Sequence, residues 1–258
     1  MLNRTFVHIP GIGTVTERRI WKRGVQSWDA FLRAPSAAGL SSRKTESILK
    51  AVSHSLERLR CEDYAYFSST LASREHWRAY PDFSHRIAYI DIETTGMAED
   101  DAITMIGLYD GREARVYTKG EDLQAFADDI GQYSLLVTFF GSGFDLPFLR
   151  RRFPAVQFDQ LHIDLCYALR RLGHTGGLKH IEQELGIVRG SETEGLDGWD
   201  AVLLWREWER GSRDALQLLK AYNREDIVNL EELLRYAYRE LFQRTGIPGW
   251  NELAAPSL

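Results

Sequence analysis

The stretch Ile87-Ala88-Tyr89-Ile90-Asp91-Ile92-Glu93-Thr94-Thr95-Gly96 is an apolar run that takes on two carboxylates two positions apart and then stops at a glycine. It reads as a buried strand carrying a site. Side chains at i and i+2 of a strand point to the same face, so Asp91 and Glu93 lie side by side where the core ends. Two adjacent carboxylates repel, and burying them is costly unless a cation or a proton offsets the charge. A divalent metal is the natural partner. Taken alone, the pair also fits an ordinary strand end with two solvated acids, so further acids are needed to choose between the two.

The later sequence supplies them. After Val137-Thr138-Phe139-Phe140 comes Gly141-Ser142-Gly143-Phe144-Asp145-Leu146-Pro147-Phe148-Leu149, a strand, a glycine-rich turn and a helix opening near Pro147. Tyr222-Asn223-Arg224-Glu225-Asp226 stands inside a long helical pattern near the C-terminus. Asp-x-Glu, then Phe-Asp, then Tyr-x-x-x-Asp, in that order and spacing, resembles the signature of the DEDD superfamily of RNase H-like 3′→5′ exonucleases in its tyrosine-bearing subclass. The resemblance covers roughly the last two-thirds of the chain. The intervening segments, His162-Ile163-Asp164-Leu165 and Gly177-Leu178-Lys179 among them, are most similar to the YprB-type branch.

This resemblance implies an RNase H-like α/β fold, a mixed sheet flanked by helices. It implies that Asp91, Glu93, Asp145 and Asp226 hold two divalent ions, and oxygen ligands favour Mg²⁺ or Mn²⁺. The expected chemistry is phosphodiester hydrolysis, one ion lowering the pKa of the attacking water and the other stabilising the leaving 3′-oxygen. Thr94 would sit against the terminal nucleotide, and Lys179 is a candidate phosphate contact. Tyr222 stands four residues before Asp226 on the same helix face. Its phenol, a poor base at neutral pH, would orient the attacking water. One departure stands out: relatives in this branch usually carry Asn just before the glycine of the second motif, where this chain has Phe140. That ring either stacks on a base or belongs to the core.

With 258 residues and 44% hydrophobic content, the chain has room for one large domain and a small one. Cys61 and Cys166 form neither a disulfide framework nor, without a Cys/His cluster, a zinc site. A reducing cytoplasm fits. No apolar run approaches the ~20 residues that span a bilayer, and the N-terminus has no long apolar core, so secretion and membrane insertion are not expected. The net charge of −5 conceals an uneven distribution: Met1–Tyr80 carries 13 Lys+Arg against 7 Asp+Glu, and the remainder 19 against 30. A basic N-terminal part suits phosphate, and an acidic second part suits a metal centre.

Residues 1–80 read as a helical, nucleic-acid-binding region and 81–258 as the exonuclease domain, with the boundary in the aperiodic, aromatic segment Cys61–Ser84. Ile9-Pro10-Gly11-Ile12-Gly13 leads into the basic, helix-like run Thr14–Gly24. Gly11 and Gly13 can turn the backbone sharply and expose N–H groups to a phosphate. The stretch resembles the hairpin and second helix of a helix-hairpin-helix motif, which binds the DNA backbone without reading sequence, with Arg18, Arg19, Lys22 and Arg23 adding charge. The residues before Pro10 do not read as that motif's first helix. Ser27 predicts the cap of a helix packing Trp28, Phe31 and Leu32. A longer helix is predicted over Ser41–Arg60, apolar at Ile48, Leu49, Val52, Leu56 and Leu59.

From Arg86, strands are predicted at Ile87–Glu93, Ile103–Tyr109, Ala114–Tyr117, Leu135–Phe140 and Phe158–Ile163, with a hairpin turn at Asp110-Gly111. Helices are expected from about Glu121 to Ile130, after Asp145, and from about Asp214 to Phe242. Arg150, Arg151 and Arg152 read as a solvated helix face. His162, His174 and His180 lack metal-ligand spacing. Trp199, Val202, Leu203 and Trp205 read as helix core rather than as platforms for bases. The function expected is metal-dependent 3′→5′ exonucleolysis of nucleic acid, single-stranded DNA in preference to RNA, in the cytoplasm. Two other classes share these features: an RNase H-like endonuclease on structured or hybrid duplexes, and a non-catalytic nucleic-acid-binding module. The sequence names no protein partner.

Overall fold

The periodicity of the sequence changes at Arg86 from helical to strand-like, and the backbone changes with it. The computed structural model describes residues 1–96 and 102–249. It divides into two compact units, one made of Met1–His85, Asp159–His162 and the chain from Tyr238 onward, the other of Arg86–Phe158 and Ile163–Ala237.

The first unit carries α1 (Thr14–Lys22), α2 (Trp28–Arg33), α3 (Ser42–Arg60), α4 (Tyr64–Thr70) and α5 (Tyr80–Phe83), joined by turns and short 3₁₀ segments. Ser27 caps α2 by accepting from the Ala30 N–H at 3.1 Å. Phe6, Trp28, Phe31, Ile48, Val52 and Phe67 are fully buried. Cys61–Ser84 shows no periodicity because its helices are one or two turns long, too short to repeat a pattern. Before Pro10 there is only a three-residue 3₁₀ turn, Leu2–Arg4. Pro10 and Gly11 form a turn closed by the Ile12 N–H donating to the Ile9 carbonyl at 3.0 Å. Gly11 takes φ +79° there, a conformation that favours glycine. Arg18, Arg19 and Lys22 along α1 and Arg23 at its C-cap are exposed. Glu17 turns inward, accepting from the Phe6 N–H at 2.6 Å and pairing with the fully buried Arg78 at 3.0 Å. Glu17 thus ties both the N-terminal residues, through Phe6, and the 3₁₀ segment Ser73–Ala79, through Arg78, to α1.

The sheet consists of β1 (Ile87–Thr94), β2 (Ile103–Tyr109), β3 (Ala114–Thr118), β4 (Leu135–Thr138) and β5 (Leu161–Asp164), in the order β3-β2-β1-β4-β5, and all of it but Leu161 and His162 falls in the second unit. β1 pairs antiparallel with β2 and parallel with β4, so the strand that carries the acids is central. Helices α6 (Ala125–Asp129), α7 (Asp145–Arg152), α8 (Leu165–Leu172), α9 (Leu178–Glu184), α10 (Gly198–Glu209) and α11 (Arg213–Thr245), the last as far as Ala237, complete the second unit. Ala88, Ile90 and Ile92 pack with Phe126, Leu146 and Leu149 in a core under α6 and α7. Met105 packs with Ala201, Trp205, Leu216, Leu219 and Tyr222 under α10 and α11, which cover the other face. The side-chain alternation of β1 therefore turns Asp91 and Glu93 toward α11.

Candidate active site

The register between β1 and β2 shifts between Glu93 and Thr94, a bulge at the point where the acids emerge. α11 crosses this place and contributes Tyr222, Asn223 and Asp226. Asn223 Nδ2 donates to Asp91 Oδ2 at 3.0 Å and to Glu93 Oε1 at 3.4 Å. The helix comes this close because Gly107, paired with Asp91 across the strands, has no side chain. A Cβ at position 107 would run into Asn223 Oδ1 and Ile227 Cγ2. Asp91, Glu93 and Asp226 each offer a carboxylate oxygen, and these lie within 4.8 Å of one another. Asp145 opens α7 on the same cleft but stands outside that trio. Its Oδ1 is buried without a hydrogen-bond partner.

Burial raises every one of these carboxyls. Asp91 is held well above the ordinary range by burial and by the charges of Asp226, Glu93 and Asp145. Glu93 is pushed up to about 8 by burial and by Asp226. Asp145 rises to about 7, again by burial first. Asp226 is raised by burial against the opposing pull of Arg189 and Lys179. Packed, acid-only, all-oxygen donors with an orphaned Asp145 oxygen are the donor set a hard divalent cation satisfies. The residues fit such an ion.

Two basic side chains border the acids. Lys179, on α9, donates from Nζ to the Tyr222 phenol and lies 4.1 Å from its ring centroid. Arg189 donates to both oxygens of Glu182, at 2.6 and 2.8 Å, and to Asp226. Tyr222 itself is buried, and burial, followed by the charges of Asp226, Glu93 and Asp91, raises its phenol far above the usual tyrosine value.

Among the residues singled out from the sequence, Asp91, Glu93, Thr94, Asp145, Tyr222 and Asp226 line one cleft of about 620 Å³. Thr94 is buried just past the bulge. Lys179 reaches the site through Tyr222. Gly11 and Gly13 are exposed residues of the other unit, where Gly13 precedes α1. The Arg150–Arg152 run is an exposed helix face, with Arg151 stacked 4.4 Å from the Phe148 ring centroid.

Two expectations are corrected. Trp199 and Leu203 are not helix core: they are 59% and 41% exposed, whereas Val202 and Trp205 are buried. Both pairs are apolar, so the pattern alone does not say which side of α10 packs. The strand expected to reach Phe140 ends at Thr138, because Phe140 adopts φ +63°, which breaks extended structure. Asp164 holds this turn, accepting from the N–H groups of Phe140 at 2.9 Å and Ser142 at 3.0 Å. Asn takes such a left-handed conformation more readily than Phe, so the ring at position 140 is held at a cost in backbone energy.

Asn223, Arg189, Glu182 and Asp164 were not singled out as site residues from the sequence. Asn223 adjoins the Tyr222 motif and Asp164 lies in a segment already noted, but Arg189 sits in an aperiodic loop without a local signal.

A central strand bearing acids in a five-stranded mixed sheet with helices on both faces defines an RNase H-like domain. Residues 88–238 match the family model of the RNase H superfamily, and the chain belongs to that superfamily. No curated protein matches the chain. Its fold is similar to that of a family B DNA polymerase from the hyperthermophilic archaeon Pyrobaculum calidifontis, at 19% identity and a TM-score of 0.51 over 66% of this chain. The match spans 27% of the polymerase chain. Weaker similarities are to the apo form of a nuclease (20% identity, TM-score 0.43, 72% of this chain and 83% of that one). The Nibbler EXO domain of Aedes aegypti is also similar (11% identity, TM-score 0.44, 66% and 85%). Among the described residues, no helix is long and apolar enough to cross a membrane.

Proposed function

We propose that the protein is a metal-dependent 3′→5′ exonuclease of the tyrosine-bearing DEDD type, acting on nucleic acid and favouring single-stranded DNA. The observation that carries the reading is the trio Asp91, Glu93 and Asp226, with ligand oxygens within 4.8 Å of one another, on the central strand and covering helix of an RNase H superfamily domain.

Asp91, Glu93, Asp145 and Asp226 would hold Mg²⁺ or Mn²⁺. When bound, such ions lower the pKa of a water and stabilise a leaving oxygen. The protein side chains have other tasks. Asn223 fixes the first two acids side by side. Tyr222, whose phenol burial and the surrounding acids hold toward the neutral form, is a poor base. Its oxygen accepts from Lys179, which leaves its own proton free to orient a water by hydrogen bond. Thr94 would contact the terminal nucleotide. In this reading residues 1–80, with the Gly11–Gly13 turn and the exposed cations of α1, supply sequence-independent affinity for the nucleic-acid backbone, and residues 81–258 cut.

The test is hydrolysis of end-labelled single- and double-stranded DNA and RNA with Mg²⁺ or Mn²⁺, resolved as product ladders. Stepwise shortening from the 3′ end is expected, and blocking that end should stop it. Internal cuts in an end-blocked strand would assign the site to an endonuclease instead.

A further inference from the structure

Among the described residues three aromatic side chains are exposed: Phe140, Tyr167 and Trp199. Phe140 and Trp199 line the acid cleft, and the Tyr167 ring lies 6.3 Å from that of Phe140. The second unit thus collects its exposed aromatic surface where its carboxylates are. Exposed aromatic surface gathered in one place marks a binding site, because rings left in water forfeit a large burial gain.

Trp199 is also held in position. The Asp197 carboxylate accepts from the Trp199 N–H at 2.7 Å and the Asp200 N–H at 3.1 Å, and Asp200 accepts in return from the Asp197 N–H at 2.9 Å. This capping box fixes the first turn of α10. Val202 and Trp205 bury the opposite side of the helix, so the ring is presented from a rigid element. Arg206 lies over the ring, 5.5 Å from its centroid. A tryptophan kept this exposed on a capped, packed helix does not serve the core. Phe140, also in the cleft's lining, is kept by an Asp164 hydrogen bond in a conformation that costs energy for a bulky residue, and a Cβ at Gly143 would come within 2.8 Å of its ring.

We propose that Trp199 is the stacking platform for an unpaired nucleobase of the strand whose backbone lies on the acids, with Phe140 supplying a second aromatic surface. The proposal rests on the nuclease reading of the same cleft. An unpaired base offers a flat π-face that an indole can cover, and its sugar-phosphate suits the cations the acids would hold. Bases stacked within a duplex have both faces occupied already. Stacking is tolerant of sequence because every base has a π-face. The cleft would therefore select melted or single-stranded ends without selecting a base.

The experiment measures equilibrium binding of a fluorescent single-stranded oligothymidylate to the full chain carrying Asp91→Ala, with Ca²⁺ in place of Mg²⁺ or Mn²⁺ so that the remaining acids can hold a cation while no strand is cut. A second oligonucleotide has its three 3′-terminal nucleotides abasic. Trp199→Ala should weaken binding of the intact strand by about 10-fold or more and leave the abasic strand unaffected. Trp199→Phe should restore most of the loss, whereas Trp199→Leu, apolar but without a π-face, should not. Thermal unfolding of all three variants should match the parent. Equal weakening of both strands, no weakening of either, or full rescue by leucine would overturn the proposal while leaving nuclease activity of the wild type intact. If the parent binds neither strand, the proposal falls together with the reading of the cleft.

Discussion

Arg189 is bound to Asp226 and to both carboxylate oxygens of Glu182, and its side chain is 8% exposed. A buried arginine thus stands as an internal counter-cation to one of the candidate metal-binding acids, while Asp91 and Glu93 accept from the neutral Asn223 amide and feel the Lys179 charge without a hydrogen bond to it among the described residues.

Removing that cation takes the guanidinium from two buried carboxylates, leaving Glu182 the neutral Asn229 amide at 3.1 Å. Arg189→Ala is expected to destabilise the metal-free protein by about 3–5 kcal/mol, the usual cost of breaking a buried ion pair from one side. Saturating Mn²⁺ should return part of the loss if Asp226 takes the ion in place of the guanidinium. Unfolding curves with EDTA and with Mn²⁺ check both halves, and an unchanged melting temperature in EDTA would show that the pair carries no stability.

The opposite sign is predicted one strand away. Asp91→Asn keeps the side chain's shape and its place beside Asn223 but removes one of three clustered acids, and with it the repulsion it exerts on the others when ionised. It should raise the melting temperature in EDTA, abolish the stabilisation by added Mn²⁺, and reduce hydrolysis to background. Hydrolysis at the wild-type rate would remove Asp91 from the proposed machinery.

The raised carboxyls make stability depend on pH in a defined direction. Glu93, held near 8 against an ordinary 4.5, and Asp145, held near 7 against 3.8, keep protons in the folded protein over a range where the unfolded chain has lost them. Their contribution is whole below about pH 4 and disappears as pH rises through about 7 to 8. The EDTA-treated protein should therefore lose melting temperature across that interval. With saturating Mg²⁺ the fall should shrink, because binding the ion favours the ionised acids. Parallel profiles with and without Mg²⁺ would show that the acids do not bind it.

Tyr222→Phe keeps the buried ring and removes the hydroxyl that accepts from Lys179. The expected result is a loss of about 10²-fold in kcat, the scale of a positioned proton-handling group, with Mn²⁺ affinity by calorimetry nearly unchanged. Lys179→Met should lose activity through the same hydroxyl, so the double variant should be little worse than either single one. Additive losses would give Lys179 a separate role, and a wild-type rate for Tyr222→Phe would make the phenol structural.

Arg18, Arg19 and Lys22 on α1 and Arg23 just after it are exposed, while Glu17 is committed to Arg78. Replacing the four cations with serine leaves that buried pair alone, so the fold should persist. Binding to single-stranded DNA should weaken, and the slope of log K against log salt should become shallower by up to about 3, at about 0.7 for each phosphate no longer neutralised. An unchanged slope would mean that this face does not meet nucleic acid.

The sequence by itself determined whatever short-range geometry encodes. Strand parity puts Asp91 and Glu93 on one face, and helical spacing puts Tyr222 and Asp226 on one side of α11. The strands Ile87–Thr94, Ile103–Tyr109 and Ala114–Thr118 also stand within a residue of where the alternation predicts them. Only the tertiary structure decided what meets across the chain. Asn223 reaches the two strand acids because Gly107, more than a hundred residues earlier, leaves the space for it. Arg189 finds Asp226 from a loop with no periodicity, and Lys179 finds the Tyr222 phenol from a different helix. Trp199 differs for a related reason: hydrophobic patterning records that a helix has apolar sides, but which side is covered depends on the sheet and α11 packing against Ala201 and Trp205. Local periodicity cannot carry that choice, since it is made by residues distant in sequence.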